Sequence, residues 1–190
     1  YTPLTTATGT LSYYGVVTNS NGCSTTSSTS GAVTIIPYSV AGTVSANQSI
    51  CSGTSPANIT LSGNTGTIQW QSSTDNINFT NLSGTGVTTT TLPGSTIGVL
   101  TATKYFRAIV TSSPCSSATS DVVTVTVNAL PTVSINPALT AQTLCLNATA
   151  TAYSVTAAAG SGTISSYKWY NNSNTLLVTN TSSSTSNTYT

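Results

Sequence analysis

Apolar and polar residues alternate along this chain in short stretches bounded by Gly, Pro, Ser and Asn. Residues 105–110 read Tyr-Phe-Arg-Ala-Ile-Val and residues 122–127 read Val-Val-Thr-Val-Thr-Val. A period of two sends successive side chains to opposite faces of a strand. Strands are therefore predicted at 59–61, 68–71, 88–92, 105–110 and 122–127, with turns at Ser62-Gly63-Asn64 and Ser83-Gly84. The inward positions predict a core of Ile59, Leu61, Ile68, Trp70, Phe106, Ala108, Val110, Val123, Val125 and Val127. No stretch keeps apolar residues at i, i+3, i+4 and i+7 for more than two turns without Gly, Ser or Thr intruding, so no α-helix is predicted.

The pattern repeats. Ser12 to Cys23 aligns without a gap on Lys104 to Cys115, each an aromatic-led strand (Tyr13-Tyr14, Tyr105-Phe106) running into a cysteine. Each is followed by a Ser/Thr-rich turn and a second β-branched run. Likewise Cys51 leads to Ile68-Gln69-Trp70-Gln71, and Cys145 to Tyr167-Lys168-Trp169-Tyr170. The order along the chain is back half, front half, back half, front half, with Pro37 and Pro131 after the back halves. Residues 38–131 are expected to form one whole domain. Residues 1–37 are expected to be the back half of a second, and 132–190 the front half of a third that the next copy completes. Trp70 precedes Cys115 by 45 positions (70 to 115), and counting from Trp169 through Thr190 and on from Tyr1 to Cys23 gives 44. The chain thus reads as one two-domain period of a longer array, the organisation of repeat proteins.

A unit of this size with short alternating strands and the order Cys, Trp, Cys predicts an antiparallel two-sheet sandwich, so the fold class is all-β, tandem immunoglobulin-like sandwiches. Trp70 and Trp169 are expected at equivalent buried positions, with Phe106 and Tyr14 as core partners. Composition limits what such a fold does. In 190 residues 37% are hydrophobic, but only 3% are charged, and the net charge is +1. Lys104, Arg107 and Lys168 make no cluster, which excludes the counterion release that drives nucleic-acid binding. No apolar run approaches the roughly 18 to 20 residues that cross a bilayer as a helix, so no membrane insertion is expected.

Catalysis has little to work with. There is no His, and the carboxylates are Asp75 and Asp121, so neither a Ser-His-Asp arrangement nor paired acids can be assembled. No catalytic residue, cofactor or metal site is expected; Asp75-Asn76-Ile77-Asn78 reads as a turn. Cys23, Cys51, Cys115 and Cys145 stand far apart without a CxxC pair, and read as disulfides of an oxidising compartment rather than zinc ligands. Cys51 is expected to pair with Cys115 inside the complete domain, and Cys145 to meet Cys23 across the boundary between copies. Sequons at Asn47, Asn58, Asn78, Asn81, Asn147, Asn171 and Asn180 are candidate glycan sites.

Ile50-Cys51-Ser52-Gly53, Trp70-Gln71-Ser72-Ser73-Thr74-Asp75 and Tyr105 to Val110 resemble the Ig-like and PKD-like repeats of very large secreted surface proteins of Bacteroidetes. That resemblance implies export and display on the cell surface or in the matrix. Repetition without chemistry then favours a structural role, as the repeat of an extracellular filament or giant adhesin stalk whose partners are copies of itself in a head-to-tail fibre. A glycan- or host-binding module is the alternative, and an aromatic cluster on one exposed face would distinguish it. An accessory repeat of a secreted hydrolase is a third reading.

Overall fold

β-branched and aromatic residues alternate with hydroxyl-bearing ones, and the described residues of the computed structural model are accordingly all-β apart from one short helical turn. It describes residues 1–135 and 141–189. Residues 136–140 and 190, which fall in the segment expected at 132–190, lie outside the described residues. The chain divides into two units, one of residues 1–47, 57–97 and 104–124, the other of residues 48–56, 98–103 and 125–190. This division follows neither Pro37 nor Pro131. Around Pro37 the reason is local: Ser39 Oγ accepts the Ser112 N–H at 2.9 Å, and the Cys115 thiol lies 3.7 Å from the Pro37 carbonyl.

The first unit opens with β1 (Gly9–Leu11), β2 (Val16–Thr18), β3 (Ser24–Thr26) and β4 (Val33–Ile35). β1 pairs antiparallel with β4, and β2 with β3. Every residue of β1, β2 and β3 is exposed. There follow β5 (Thr43–Val44), β6 (Gln48–Cys51), β7 (Ile59–Ser62), β8 (Thr67–Ser73), β9 (Thr80–Asn81), β10 (Thr91–Leu92), a helical turn α1 (Gly94–Ile97), β11 (Lys104–Thr111), β12 (Ala118–Thr119) and β13 (Val123–Asn128). Of these, β6 belongs to the second unit and β13 passes into it after Thr124.

Within the first unit β7 lies between β5 and β10, while β8 lies between β9 and β11, with β12 on β11's far end. Burial alternates along both sets of strands. Ile59, Leu61 and Leu92 are buried on the first, and Ile68, Trp70, Phe106, Ala108 and Val110 on the second, together with Val123. Two sheets each hiding every second residue make a β-sandwich. At its centre Trp70 is fully buried, directly across the β8–β11 ladder from Ala108. Its indole N–H donates to the Thr89 carbonyl at 2.9 Å, so the one polar atom of the side chain is satisfied without water. On the outer face the Arg107 guanidinium sits 4.0 Å over the Phe79 ring and donates from Nε to Gln71 Oε1 at 2.9 Å.

Three expectations need correction here. The absence of helix fails at α1, where the Pro93 carbonyl accepts from Thr96 and Ile97 and Asn58 Oδ1 takes the Gly94 N–H at 3.0 Å; one turn is too short to leave a periodic signal. The strand expected at 88–92 shrinks to β10, because Thr89 Oγ1 turns back to the carbonyls of Gly86 and Thr91. Val127 is half-buried rather than core.

In the second unit β6 runs parallel to the later residues of β13, from Gln48 opposite Val125 to Cys51 opposite Asn128. Leu100 and Val125 are buried there. The remaining strands are β14 (Thr132–Ile135), β15 (Tyr153–Ala158), β16 (Ser166–Tyr170), β17 (Leu176–Thr181) and β18 (Ser186–Tyr189). They form a three-stranded sheet, β14-β15-β18, and a two-stranded one, β16-β17. This is the arrangement of β5-β7-β10 with β8 and β9 over again. Tyr167 is buried and donates its hydroxyl to the Ser184 carbonyl at 2.7 Å.

The fully buried indole gives the first prediction. Trp70→Ala is expected to lower the free energy of unfolding by about 3 to 5 kcal/mol in a urea titration. A loss below about 1 kcal/mol would mean that the core does not centre on this residue.

Candidate functional site

Among the described residues no cleft gathers acid, base and nucleophile, and the open features lie on the two end segments. The β2–β3 hairpin reproduces strand-to-strand bonds of the β11–β12 hairpin. The Gly15 N–H donates to Ser27 Oγ and the Gly15 carbonyl accepts from the Ser27 N–H, at 2.9 and 2.8 Å. Ala108 and Ser120 make the same two bonds, each at 2.9 Å. Ser27 Oγ and Ser120 Oγ then each donate to the next residue's carbonyl, at 2.8 Å. The Oγ atoms of Thr18 and Ser24 bond at 2.7 Å, and those of Thr111 and Ser117 at 2.9 Å.

Every pair in this correspondence is 93 positions apart (15 and 108, 18 and 111, 24 and 117, 27 and 120). The gapless alignment of cysteine on cysteine implies 92 (23 and 115). The strands therefore correspond one residue away from where the cysteines suggest. A one-residue shift exchanges the faces of a strand. Tyr13, not Tyr14, stands where Phe106 does, and Tyr14 is 67% exposed instead of core. Cys23 and Cys115 occupy different places in turns of equal length, and turns tolerate such sliding.

β11 has β8 on its other edge, whereas β2 has one strand neighbour, β3. β16 is in the mirror situation. β8 is flanked by β9 and β11, while β16 pairs with β17 in a two-stranded sheet. Trp169 is half-buried, its indole N–H bonded to Asn187 Oδ1 at 2.9 Å and its ring stacked on Tyr189 with centroids 5.6 Å apart. Trp169 is thus less buried than Trp70. Beside β2 a cavity of about 660 Å3 is lined by Tyr1, Tyr13, Tyr14, Gly15 and Val33 among others. The Tyr1 and Tyr13 rings stand 5.3 Å apart at 52°.

The Cys51–Cys115 disulfide expected inside the complete domain is not formed, and within the single chain Cys23, Cys51, Cys115 and Cys145 are all free thiols; the expected Cys145–Cys23 pairing is one between copies. Cys51 ends β6 opposite Asn128 in the second unit. Cys115 belongs to the first, in the turn after β11 that contains the cis Ser113–Pro114 bond, with its thiol directed at the Pro37 carbonyl.

Asp75 is a turn residue. Its Oδ1 accepts from the Ile77 and Asn78 N–H groups at 2.9 and 2.8 Å and from Ser73 Oγ at 2.7 Å, and its Oδ2 accepts from Asn78 Nδ2 at 2.7 Å. Asn76 takes the left-handed conformation, φ 59°, that lets the chain wrap the carboxylate. The Asn78 N–H, then Ser73 and Ile77, hold the Asp75 carboxyl far below the usual carboxylate range. Among the described residues no group of three or more His, Cys, Asp or Glu comes together. At the Asn78 and Asn180 sequons the side-chain nitrogen that a sugar would occupy already donates a hydrogen bond, and Asn47 and Asn58 take backbone N–H groups.

A family model described as Domain of unknown function (DUF8696) matches residues 40–129. No curated protein matches the chain. Among solved structures the chain is similar to a Ca2+-stabilised adhesin that helps an Antarctic bacterium reach out and bind ice, at 14% identity and a TM-score of 0.30. That match covers 86% of this chain, which spans 43% of the adhesin chain's length. A likeness of that size carries no argument about fold or function.

The Asp75 turn predicts an acid-sensitive stability. A carboxyl whose folded pKa lies below its unfolded value contributes stability that is present above about pH 4 and is lost as the pH falls toward the folded value. Thermal unfolding followed from pH 5 down to pH 2 is expected to show a falling Tm in the natural protein and a much flatter profile in Asp75→Asn. An equally steep decline in the variant would place the titrating group elsewhere.

Proposed function

We propose that this chain is a non-catalytic structural repeat unit of an extracellular bacterial filament or giant adhesin stalk, assembled head to tail from Ig-like sandwiches. The observation that supports the reading is a repeated strand order. Strands β14 to β18 repeat the order of β5, β7 and β10 with β8 and β9, and the β2–β3 hairpin repeats β11–β12. One end segment thus supplies a front half and the other a back half, with residues 38–131 as the whole domain between them. The family match at 40–129 falls inside that span. The Ig-like and PKD-like assignment and display outside the cell belong to this same reading, supported by the motif resemblance. The scarcity of charge supports a packed array too, since neighbouring copies carry no large like charge to repel one another.

An interface that joins a front half to the back half of the next copy uses two different surfaces. Such a heterologous contact stays open and propagates instead of closing. Sedimentation over a range of concentrations is expected to show a growing series of multiples of the 19.2 kDa chain. A species that remains monomeric, or stops at a closed dimer, would contradict the reading.

A second reading, a glycan-binding module, draws on the cavity lined by Tyr1, Tyr13 and Tyr14. Aromatic faces are the usual platform for sugar rings, so saturable binding of oligosaccharides that is lost in Tyr13→Ala would favour it. No binding across a glycan array would leave the tyrosines as an assembly surface.

A further inference from the structure

We infer that strand β2 of one copy adds antiparallel to the open edge of β16 in a second copy of this chain, in a register that sets Gly15 opposite Trp169. This rests on the head-to-tail reading and specifies its joint.

The template is the β8–β11 ladder, in which Trp70 faces Ala108, Ile68 faces Val110, Gln69 faces Ile109 and Gln71 faces Arg107. Trp70 turns its own backbone groups away from β11, its N–H to the Val87 carbonyl and its carbonyl to the Leu82 N–H. Gln69 and Gln71 therefore bond to β11. In the end segments the same alternation holds. Gly15 turns its backbone toward β3 and Tyr13 turns its backbone toward Ser30, leaving Tyr14 and Val16 facing the open edge. Just past β16 the Asn171 N–H bonds to the Thr175 carbonyl on the β17 side; the irregularity between Trp169 and Tyr170 places its extra residue, Leu177, on β17, so β16 keeps its alternation and Lys168 and Tyr170 face the open edge. Transferring the template with its 93-residue correspondence pairs Val16 with Lys168 and Tyr14 with Tyr170 as hydrogen-bonded partners, with Tyr167 across from Val17. Unpaired edge groups of this kind are the standard receptor for an added strand.

Gly15 supplies a separate argument. Glycine weakens a strand, and this one does not have positive φ. A Cβ added there would meet nothing closer than Ser27 Oγ at 3.8 Å, so its own copy has room for a larger residue. The equivalent residue, Ala108, is also small, and it lies across from the largest buried side chain, Trp70. A small residue at 15 is what the Trp169 indole of a second copy requires. The cysteine-on-cysteine alignment would instead set the β-branched Val16 opposite that indole. The apolar side chains concerned are left exposed in the single chain: Tyr14, Val16, Val17 and Tyr170 all remain more than half open to solvent.

The test uses full-length chains in which the four cysteines are replaced by Ser, with one new cysteine in each copy. Val16 and Lys168 point outward, so neither substitution disturbs a core. Copies carrying Val16→Cys are mixed with copies carrying Lys168→Cys, oxidised, and the joined peptides identified by mass spectrometry. Cα atoms of a hydrogen-bonded antiparallel pair lie about 5.5 Å apart, within reach of a disulfide. The 16–168 peptide is expected, and a Val17→Cys copy is expected to give none with Lys168→Cys. Joining at 17–168 but not 16–168 would overturn this register while keeping the head-to-tail reading. A double variant that joins 16 to 168 within one molecule at high dilution would overturn strand addition from a second copy. Multiples of the chain without either cross-link would overturn the joint, and no multiples at all would remove the reading beneath it. In sedimentation Gly15→Ala is expected to assemble as the natural chain does and Gly15→Leu to stay dissociated while keeping the same circular dichroism spectrum. Normal assembly of Gly15→Leu would count against the pairing with Trp169.

Discussion

An indole on a β-strand needs a cover from the facing sheet and a small neighbour on the adjoining strand, and Trp70 has both. Ala108 sits across the ladder from it, Thr89 takes its N–H, and it is fully buried, as are Ile59 of β7, Leu92 of β10 and Phe106 and Val110 of β11. Removing that side chain would leave a cavity that neighbouring strands cannot collapse to fill, because their register is held by backbone bonds. The rest of the sandwich follows from this requirement. β8 must have β11 beside it, β11 must carry a small residue at the crossing point, and the turn at 86–90 must fold back far enough to present a carbonyl. The same indole at Trp169 has its N–H satisfied and an aromatic ring stacked on it, but has neither the strand nor the small neighbour.

Hydroxyl groups take over the tasks that charge performs elsewhere. Ser27 and Ser120 close their hairpins by accepting a backbone N–H and donating to a backbone carbonyl. Thr18 and Ser24, like Thr111 and Ser117, bridge opposite strands at the turn. Asp75 is consumed by its own turn. A Ser/Thr-rich chain can in this way satisfy edges and turns locally, with little long-range electrostatic field. What such a chain offers a partner is backbone edge and apolar side chain. Both are found on β2 and β16.

Much of the central sandwich was legible in the sequence because alternation at 59–61, 68–71 and 105–110 is a direct imprint of one buried face. The same logic located Trp70, Phe106 and Val110. Legibility ended where the signal came from residues outside strands. Cys23 and Cys115 invited an alignment on turns, and the hydrogen bonds of Ser27 and Ser120 show the strands to correspond one residue away. That slip moved Tyr14, which is exposed, into an imagined core. A signal was nonetheless present: Gly15 and Ala108 are both small, Ala108 lies across from Trp70, and matching the two small residues would have found the register. The turn at 94–97 left no periodicity to read, and the Thr89 back-bond that shortens β10 depends on a hydroxyl rotamer.

The central claim is that β2 and β16 are two halves of one ladder shared between copies. Hydrogen exchange on the native material, compared with the dissociated chain, tests it most directly. Amides at Tyr14, Val16, Lys168 and Tyr170 are expected to exchange rapidly in the dissociated chain and to become as protected in the assembly as Gln69, Gln71, Arg107 and Ile109 are in both. Edge amides that exchange as fast in the assembled material as in the free chain would contradict the account.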